Sequence, residues 1–308
     1  MEALATAAAA DRLGYDEIWI GEMATFDAFA LATAIGVRPG RSALTIGPLA
    51  PAVRDAAGLA MGAASVAALT SRSVHLAIGA SSPVVVERWH GRQYAATAPL
   101  LSATVAQLQL LLAGAKAAPG GYRLRLPAVS TSITVAAFGP AAVRVAGEVA
   151  DRMVINMCTP RQAARMRMQL DDHAQRSGRA PVRLAAWVPA AVEPTEAAID
   201  QLRRGIVAYL GAPGYGEMFA ESGFGRLVEL ARSGAHPGDV LAAVPRELIE
   251  AVGLIGDEAT CRAQLAAHLA AGVDDVVIVP ATAGDDAGVR TLTLLAPRRG
   301  VPGSEADP

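Results

Sequence analysis

The sequence predicts an α/β fold, a TIM-type (β/α)8 barrel that lacks its first strand, and three observations carry that expectation. Strand-like and helix-like segments alternate at close intervals, the pattern of a parallel sheet with helices outside. The chain has 308 residues and 52% hydrophobic content, enough for one large core. Strands are expected near residues 16, 43, 74, 133, 153, 184 and 274, each leading into a helix, one strand short of closure. No stretch reads as a linker, so one domain is expected over 1–296, with insertions near 83–99, 114–131 and 210–255 and a flexible tail over 297–308.

Each element has a local reason. Glu2 to Leu13 reads as a helix closed by Gly14, so the chain opens on a helix where a barrel opens on a strand, and the missing strand is expected before Met1. Asp16 to Ile20 is a strand ending in Gly21-Glu22. Thr25 or Asp27 caps a helix that stops at Gly36. Ala43 to Gly47 is a strand running into Pro48 and Pro51, and the next helix carries Leu59, Val66 and Leu69 on one face.

Val74 to Gly79 is a buried strand followed by the small-residue turn Ala80-Ser81-Ser82-Pro83 and the loop through Trp89-His90-Gly91. Leu101, Val105, Leu108 and Leu112 fall at helical spacing, and Pro119 to Leu126 forms a hairpin-like excursion. Ile133 to Ala137, Met153 to Asn156 and Leu184 to Val188 are strands, with helices from Pro140, Pro160 and Thr195 between and after them. Leu210 to Leu254 breaks the rhythm, as a lid or as scaffold. Asp257 caps a helix carrying Cys261, Leu265 and Leu269, Val273 to Val279 is the last strand, and Asp286 to Leu295 closes the chain.

Composition excludes several classes. A formal net charge of -2 gives no global attraction to nucleic acid or to an anionic membrane, so a small-molecule partner is expected. Cys158 and Cys261 are too few for a disulfide framework and share no metal-ligand spacing, which points to a reducing cytoplasm. Ala56 to Thr70 and Leu100 to Ala118 are too short or too broken by Gln107, Gln109 and Lys116 to span a membrane, and no signal peptide is visible. His75, His173, His236 and His268 sit in no ligand spacing, so no metal site is expected and these histidines read as structural.

Chemistry is expected at the strand ends. Small residues at Gly79, Ala80 and Ser81 let a ligand approach the backbone, while Trp89 offers an aromatic wall and His90 a ring that titrates near neutrality. Gly47-Pro48 ends a strand where a cis peptide is cheap, and it is expected to bulge into the mouth. Phe138-Gly139-Pro140 joins a strand to a helix whose first-turn N–H groups favour a phosphate, although an ordinary βα turn has the same residues. Arg144, one turn in, and then Arg152, Arg161 and Arg165 could form a track for a polyanion, or a solvated surface. Glu22 and Asp27 are acid/base candidates, with helix capping an equal account of Asp27.

Six stretches in this order resemble the luciferase-like superfamily, specifically its deazaflavin oxidoreductases that use coenzyme F420. They are DRLGYDEIWIGE (11–22), TIGPLAPAVRD (45–55), VAALTSRSVHLAIG (66–79), WHG (89–91), VAAFGPAAVRVAGEVADRMVIN (135–156) and IGDEATCRAQLAAHLAAGVDDVVIVP (255–280). The resemblance implies a TIM barrel, a homodimer, and a cofactor at the C-terminal mouth. It places Glu22 beside the deazaflavin, Gly47 and Pro48 on a bulge behind the ring, Ala137, Phe138 and Gly139 on the phosphate turn, and Asn156 on the following strand. Where characterised members have a histidine and a glutamate, this chain has Met23 and Ser82, so their acid/base scheme does not transfer. Ser82, Glu87 and His90 become the local candidates.

Three readings follow: an F420-dependent oxidoreductase with catalytic candidates His90, Glu22 and Ser82 and substrate under Trp89; an FMN-dependent monooxygenase on the same fold; and a catalytically inactive barrel acting as a binding module.

Overall fold

Short β-branched runs bounded by Gly and Pro form the strands of a computed structural model that describes residues 1–297. The expected tail at 298–308 lies outside the described residues. Eight parallel strands run as β1 (Glu17–Ile20), β2 (Ala43–Leu49), β3 (Val74–Gly79), β4 (Ile133–Ala136), β5 (Arg152–Asn156), β6 (Arg183–Val192), β7 (Leu254–Gly256) and β8 (Asp275–Pro280). They pair in chain order from β1 to β7, and β8 pairs with β6. Among the described residues β1 and β8 do not pair with each other, so the sheet curls like a barrel without closing between them.

The seven expected strands are all present. The eighth, β7, is three residues long and lies at the end of the stretch read as an insertion; so short a run carries no periodicity of its own.

Helices cover the outside: α1 (Glu2–Leu13), α2 (Ala28–Gly36), α3 (Ala56–Thr70), α4 (Thr97–Leu112), α5 (Pro140–Val149) and α6 (Pro160–Arg176) follow in order. Asp27, not Thr25, caps α2, its carboxylate accepting the Ala30 N–H at 2.9 Å. Leu59 and Val66 of α3 are buried, but Leu69 is 66% exposed: ten residues on from Leu59 it has turned about 280° around the axis and faces out. The expected hairpin-like excursion contains one antiparallel bridge, Lys116 to Arg123. Near 83–99 the chain makes a π-helical turn, Val84–Trp89, before α4.

Between β6 and β7 the chain forms α7 (Glu196–Leu210), the helix expected from Thr195, and then, within the stretch expected as an insertion at 210–255, α8 (Tyr215–Phe219), α9 (Gly225–Arg232), α10 (Pro237–Ala243) and α11 (Arg246–Val252). These helices bury Ile199, Ile206, Leu227, Val228 and Leu248 in a second core beside the main one. After β7, α12 (Glu258–Ala270) is capped by Asp257, and a 3-10 turn (Asp286–Gly288) leads into α13 (Val289–Leu294). Tyr15, at the end of α1, donates to the Leu292 carbonyl at 2.8 Å, tying the two ends of the sheet's outer layer. Among the described residues no helix is long and apolar enough to cross a membrane.

The floor of the curl is polar. Arg152 of β5 reaches across it to Glu17 of β1 at 2.7 Å and to Asp275 of β8 at 3.2 Å, and its guanidinium lies 4.6 Å from the Trp19 ring centroid. Thr134 and Thr45 accept two more of its N–H groups. One cation therefore links β1 to β8 across the open side of the curl. Burial opposes the charge on Glu17, but Arg152 and the Thr45 hydroxyl outweigh it and hold the carboxyl below its ordinary range. Arg152 thus sits at the foot of the barrel and takes no part in a polyanion track, because residue 152 begins its strand.

Candidate active site at the barrel mouth

Parallel pairing puts residues of equal parity on one face, so Trp19, Thr45, His75, Thr134, Arg152, Trp187 and Val277 share the inside of the curl. Towards the strand ends that face narrows to Gly47, Gly79 and Ala136. A Cβ on Gly79 would lie 3.1 Å from the Ala136 Cβ and 3.4 Å from the Pro48 Cβ, and a Cβ on Gly47 would lie 2.1 Å from the Ala77 carbonyl oxygen. The Gly47–Pro48 peptide is cis, and the β2–β3 register shifts between Ile46 and Leu49, as the sequence reading expected. The result is a shallow floor of small residues between β2, β3 and β4, with the bulkier Trp187 and Asn156 on β6 and β5. The Trp187 indole N–H is buried with no hydrogen-bond partner among the described residues.

Ala137 continues the ladder, its N–H donating to the Val154 carbonyl at 3.1 Å, and Gly139 is the N-cap of α5. No side chain caps this helix, Pro140 has no N–H, and the open space beside Gly139 would accept a Cβ with no atom within 4 Å. An uncapped first turn with a glycine approach suits an anion chemically.

The candidates around this floor divide. Glu22 follows β1, but its Oε1 accepts from Arg54 Nη2 at 2.7 Å and from the Ala28 N–H at 3.1 Å. Arg54 also bonds Asp27. Burial opposes the Asp27 charge, yet the Ala30 N–H and Arg54 outweigh it and keep its carboxyl below the usual range. Glu22 and Asp27 therefore hold the β1–α2 loop onto the start of α3, and neither presents a free carboxylate. Ser82 accepts the Val85 N–H at 3.3 Å and its carbonyl takes the Val86 N–H, which makes it the start of the π-helical turn. Ala80 is half-buried, and Ser81 is exposed with φ 60, its carbonyl accepting from the Tyr94 hydroxyl at 3.4 Å. Trp89 is 49% exposed and His90 is exposed, with no hydrogen bond to its ring among the described residues.

The basic track is not assembled. Arg144 pairs with Glu148 on its own helix, Arg165 pairs with Glu221 of the insertion at 2.7 Å, and Arg152 is in the barrel floor. Spacing along one helix could not reveal acidic partners brought in by another.

Tyr215 is the residue sequence reasoning missed. It lies on α8, its ring centroid 4.3 Å from that of Phe138, and its hydroxyl accepts from Asn156 Nδ2 at 3.1 Å. The insertion thus reaches the turn between β4 and α5 directly. Gln162 secures it, donating to the Met218 carbonyl at 2.7 Å. The available signal was the concentration of Tyr209, Tyr215, Phe219 and Phe224 in a chain with 4% aromatic residues. Three of the four histidines expected to be structural bond to backbone: His75 Nδ1 accepts the Ser132 N–H, His236 Nδ1 accepts the Gly238 N–H, and His268 lies between the carbonyls of Gln264 and Cys158.

Comparison with known proteins gives a consistent picture. The family model described as luciferase-like monooxygenase matches residues 1–275. A Mycobacterium tuberculosis protein named as a coenzyme F420-dependent oxidoreductase is 26% identical, over 94% of this chain and 92% of its own. Among solved structures, the coenzyme F420-dependent tetrahydromethanopterin reductase of Methanopyrus kandleri superposes with a TM-score of 0.76 at 17% identity, covering 96% of this chain and 93% of its own. The oxygenating component of 3,6-diketocamphane monooxygenase of Pseudomonas putida, solved with FMN, gives 0.67 at 17% identity, covering 96% and 90%. At such identities the structural likeness shows the fold alone.

Proposed function

The chain belongs to the luciferase-like monooxygenase family, and on that premise we propose that it is an oxidoreductase that binds coenzyme F420 in the barrel mouth and acts on a small organic substrate. The observation that carries the reading is the uncapped start of α5 beside the small-residue floor: Gly139 would seat the coenzyme phosphate, and Gly47, Pro48, Gly79 and Ala136 would lie against its flat ring system. When bound, the coenzyme supplies hydride chemistry. FMN has a phosphate and a flat ring too. F420 is preferred over it because the relative aligned along 94% of this chain is named for F420; the arginines no longer argue for it, since all but Arg161 of the expected track are engaged elsewhere.

The remaining residues take supporting parts. Trp89 covers an apolar substrate face, and His90, free of other hydrogen bonds among the described residues, exchanges a proton. Ser81 and Ala80 shape the rim next to Gly79, and Glu22 and Ser82 act by holding the rim loops, through Arg54 and the π-helical turn. Asn156, fixed by Tyr215, borders the phosphate turn. The chain between Asp55 and Arg72, and again between Arg92 and Lys116, carries no charged residue, so α3 and α4 offer the face for a homodimer. Two buried, unpaired cysteines accord with the cytoplasm.

A titration with F420 and with FMN, followed by fluorescence quenching, tests the assignment. Binding of F420 but not FMN is expected. Binding of FMN alone, with oxygen consumed when the flavin is reduced, would establish the monooxygenase reading instead, and binding of neither would leave the inactive binding module.

A further inference from the structure

We propose that the apolar cavity between the insertion and the ends of β6 and β8 holds a hydrocarbon portion of the substrate, of about six to eight carbons; this rests on the mouth being the coenzyme site. The cavity has a volume of about 210 Å³. Pro189 of β6 and Val279 of β8, which pair with each other, form its lower wall, and Leu202, Gly205 and Ile206 of α7 form its roof. Pro189 and Val279 stand two residues beyond Trp187 and Val277 on the same face, roughly 7 Å nearer the mouth. The cavity therefore opens at the same end of the barrel as the Gly47–Gly79 floor and on its far side.

Its chemistry selects an uncharged group. No charged side chain lines it, and Pro189 and Pro280 have no N–H to offer. Gln201 is its polar side chain, and three of that amide's four hydrogen-bonding positions are taken: Oε1 accepts the Thr282 and Ala283 N–H groups at 2.9 and 2.8 Å, and Nε2 donates to the Thr282 hydroxyl. A strongly polar or charged group placed here would lose its water for at most one amide N–H, whereas a hydrocarbon gains from burial.

The space is maintained at a cost in stability. Gly205 lies inside α7, where glycine is less favourable than alanine by about 0.5–1 kcal/mol, and a Cβ there would meet no atom within 4 Å. Met157, on the wall, has φ 50, a left-handed conformation uncommon for a side-chain-bearing residue, and its N–H is held by the Trp187 carbonyl at 3.2 Å. Val279 remains 41% exposed although its strand neighbours are largely covered. An apolar cavity of about 150 Å³ accommodates benzene, which sets the expected size of the group.

The test uses the full chain and linear 2-alkanones of four to ten carbons as probes, with binding read by saturation-transfer NMR, alongside F420 titration by fluorescence. Affinity should rise about threefold to fourfold per methylene up to about eight carbons and then level off. Gly205→Leu, which fills the cavity from the roof, and Val279→Phe, which fills it from the floor, should each weaken the longer probes at least tenfold while leaving F420 affinity unchanged, and Gly205→Leu should not lower the melting temperature. Flat dependence on chain length, or unaltered probe binding in both filled variants that fold, would overturn the proposal. Loss of F420 binding in the wild type with intact chain-length dependence would reject the coenzyme reading and keep the cavity as an apolar site.

Discussion

Replacing Arg152 by methionine should destabilise the fold far more than a surface arginine would, because one guanidinium ties β1 to β8 across the open side of the sheet. Its side chain is 8% exposed, and its carboxylate partners Glu17 and Asp275 are 18% and 23% exposed. Breaking a buried pair from one side costs about 3–5 kcal/mol, since the partner charge stays buried. Partial solvent access to both carboxylates puts the expected loss near the lower figure, and the contact with Trp19 adds about 0.5–1 kcal/mol. A total loss of about 3.5–4 kcal/mol corresponds to a fall in Tm of about 7–16 °C. Urea unfolding of wild type, Arg152→Met and the double variant with Glu17→Gln measures it. The double variant should recover part of the loss, because the uncompensated carboxylate is gone. The pH dependence has a defined sign. In the wild type Glu17 is held below its ordinary value, so its contribution is complete above about pH 4.5 and fades as pH falls through the folded value. Without Arg152 burial raises the same group, so the variant's deficit should be largest at pH 7 and shrink as Glu17 takes up a proton. A deficit under about 1 kcal/mol at pH 7, or one that grows on acidification, would refute the clamp.

Gly139→Val should lower F420 affinity at least tenfold with Tm unchanged, because φ at 139 is -86 and a Cβ meets nothing nearby; equal affinity in a quenching titration would count against the phosphate seat. Gly47→Ala should cost more than about 2 kcal/mol in chemical denaturation, since φ is 121 and the new Cβ would press on the Ala77 carbonyl. Burial opposes the Asp11 charge, but Arg72 and Ser42 bring its carboxyl down to about 2, so it contributes roughly 2.5 kcal/mol that is complete above about pH 4 and is lost as pH falls towards 2; Asp11→Asn should flatten that limb of the stability profile. The Cys158 thiol, 1% exposed and pushed up to about 12 by burial, should stay unlabelled by a thiol reagent at pH 8 until the protein unfolds.

Local chemistry determined much from the sequence alone. Period-two and helical patterning located the seven long strands and most helices, because burial on a regular element leaves a periodic trace. Gly47-Pro48, the Gly139-Pro140 helix start and the Asp27 and Asp257 caps were legible because each is a short-range backbone requirement met by the residues on the spot. What the tertiary structure decided were the partnerships. Glu22 reads as an acid until Arg54, 32 residues away, takes it; Arg165 reads as an anion site until Glu221 does; and Arg152 reads as surface charge until strands β1 and β8 converge on it. Tyr215 meets Phe138 and Asn156 only because an insertion folds back over the mouth. A charge or a hydrogen-bonding group acts through what lies within about 3 Å of it, and for residues tens to hundreds of positions apart that neighbour is set by the packing of whole elements, which no local pattern encodes.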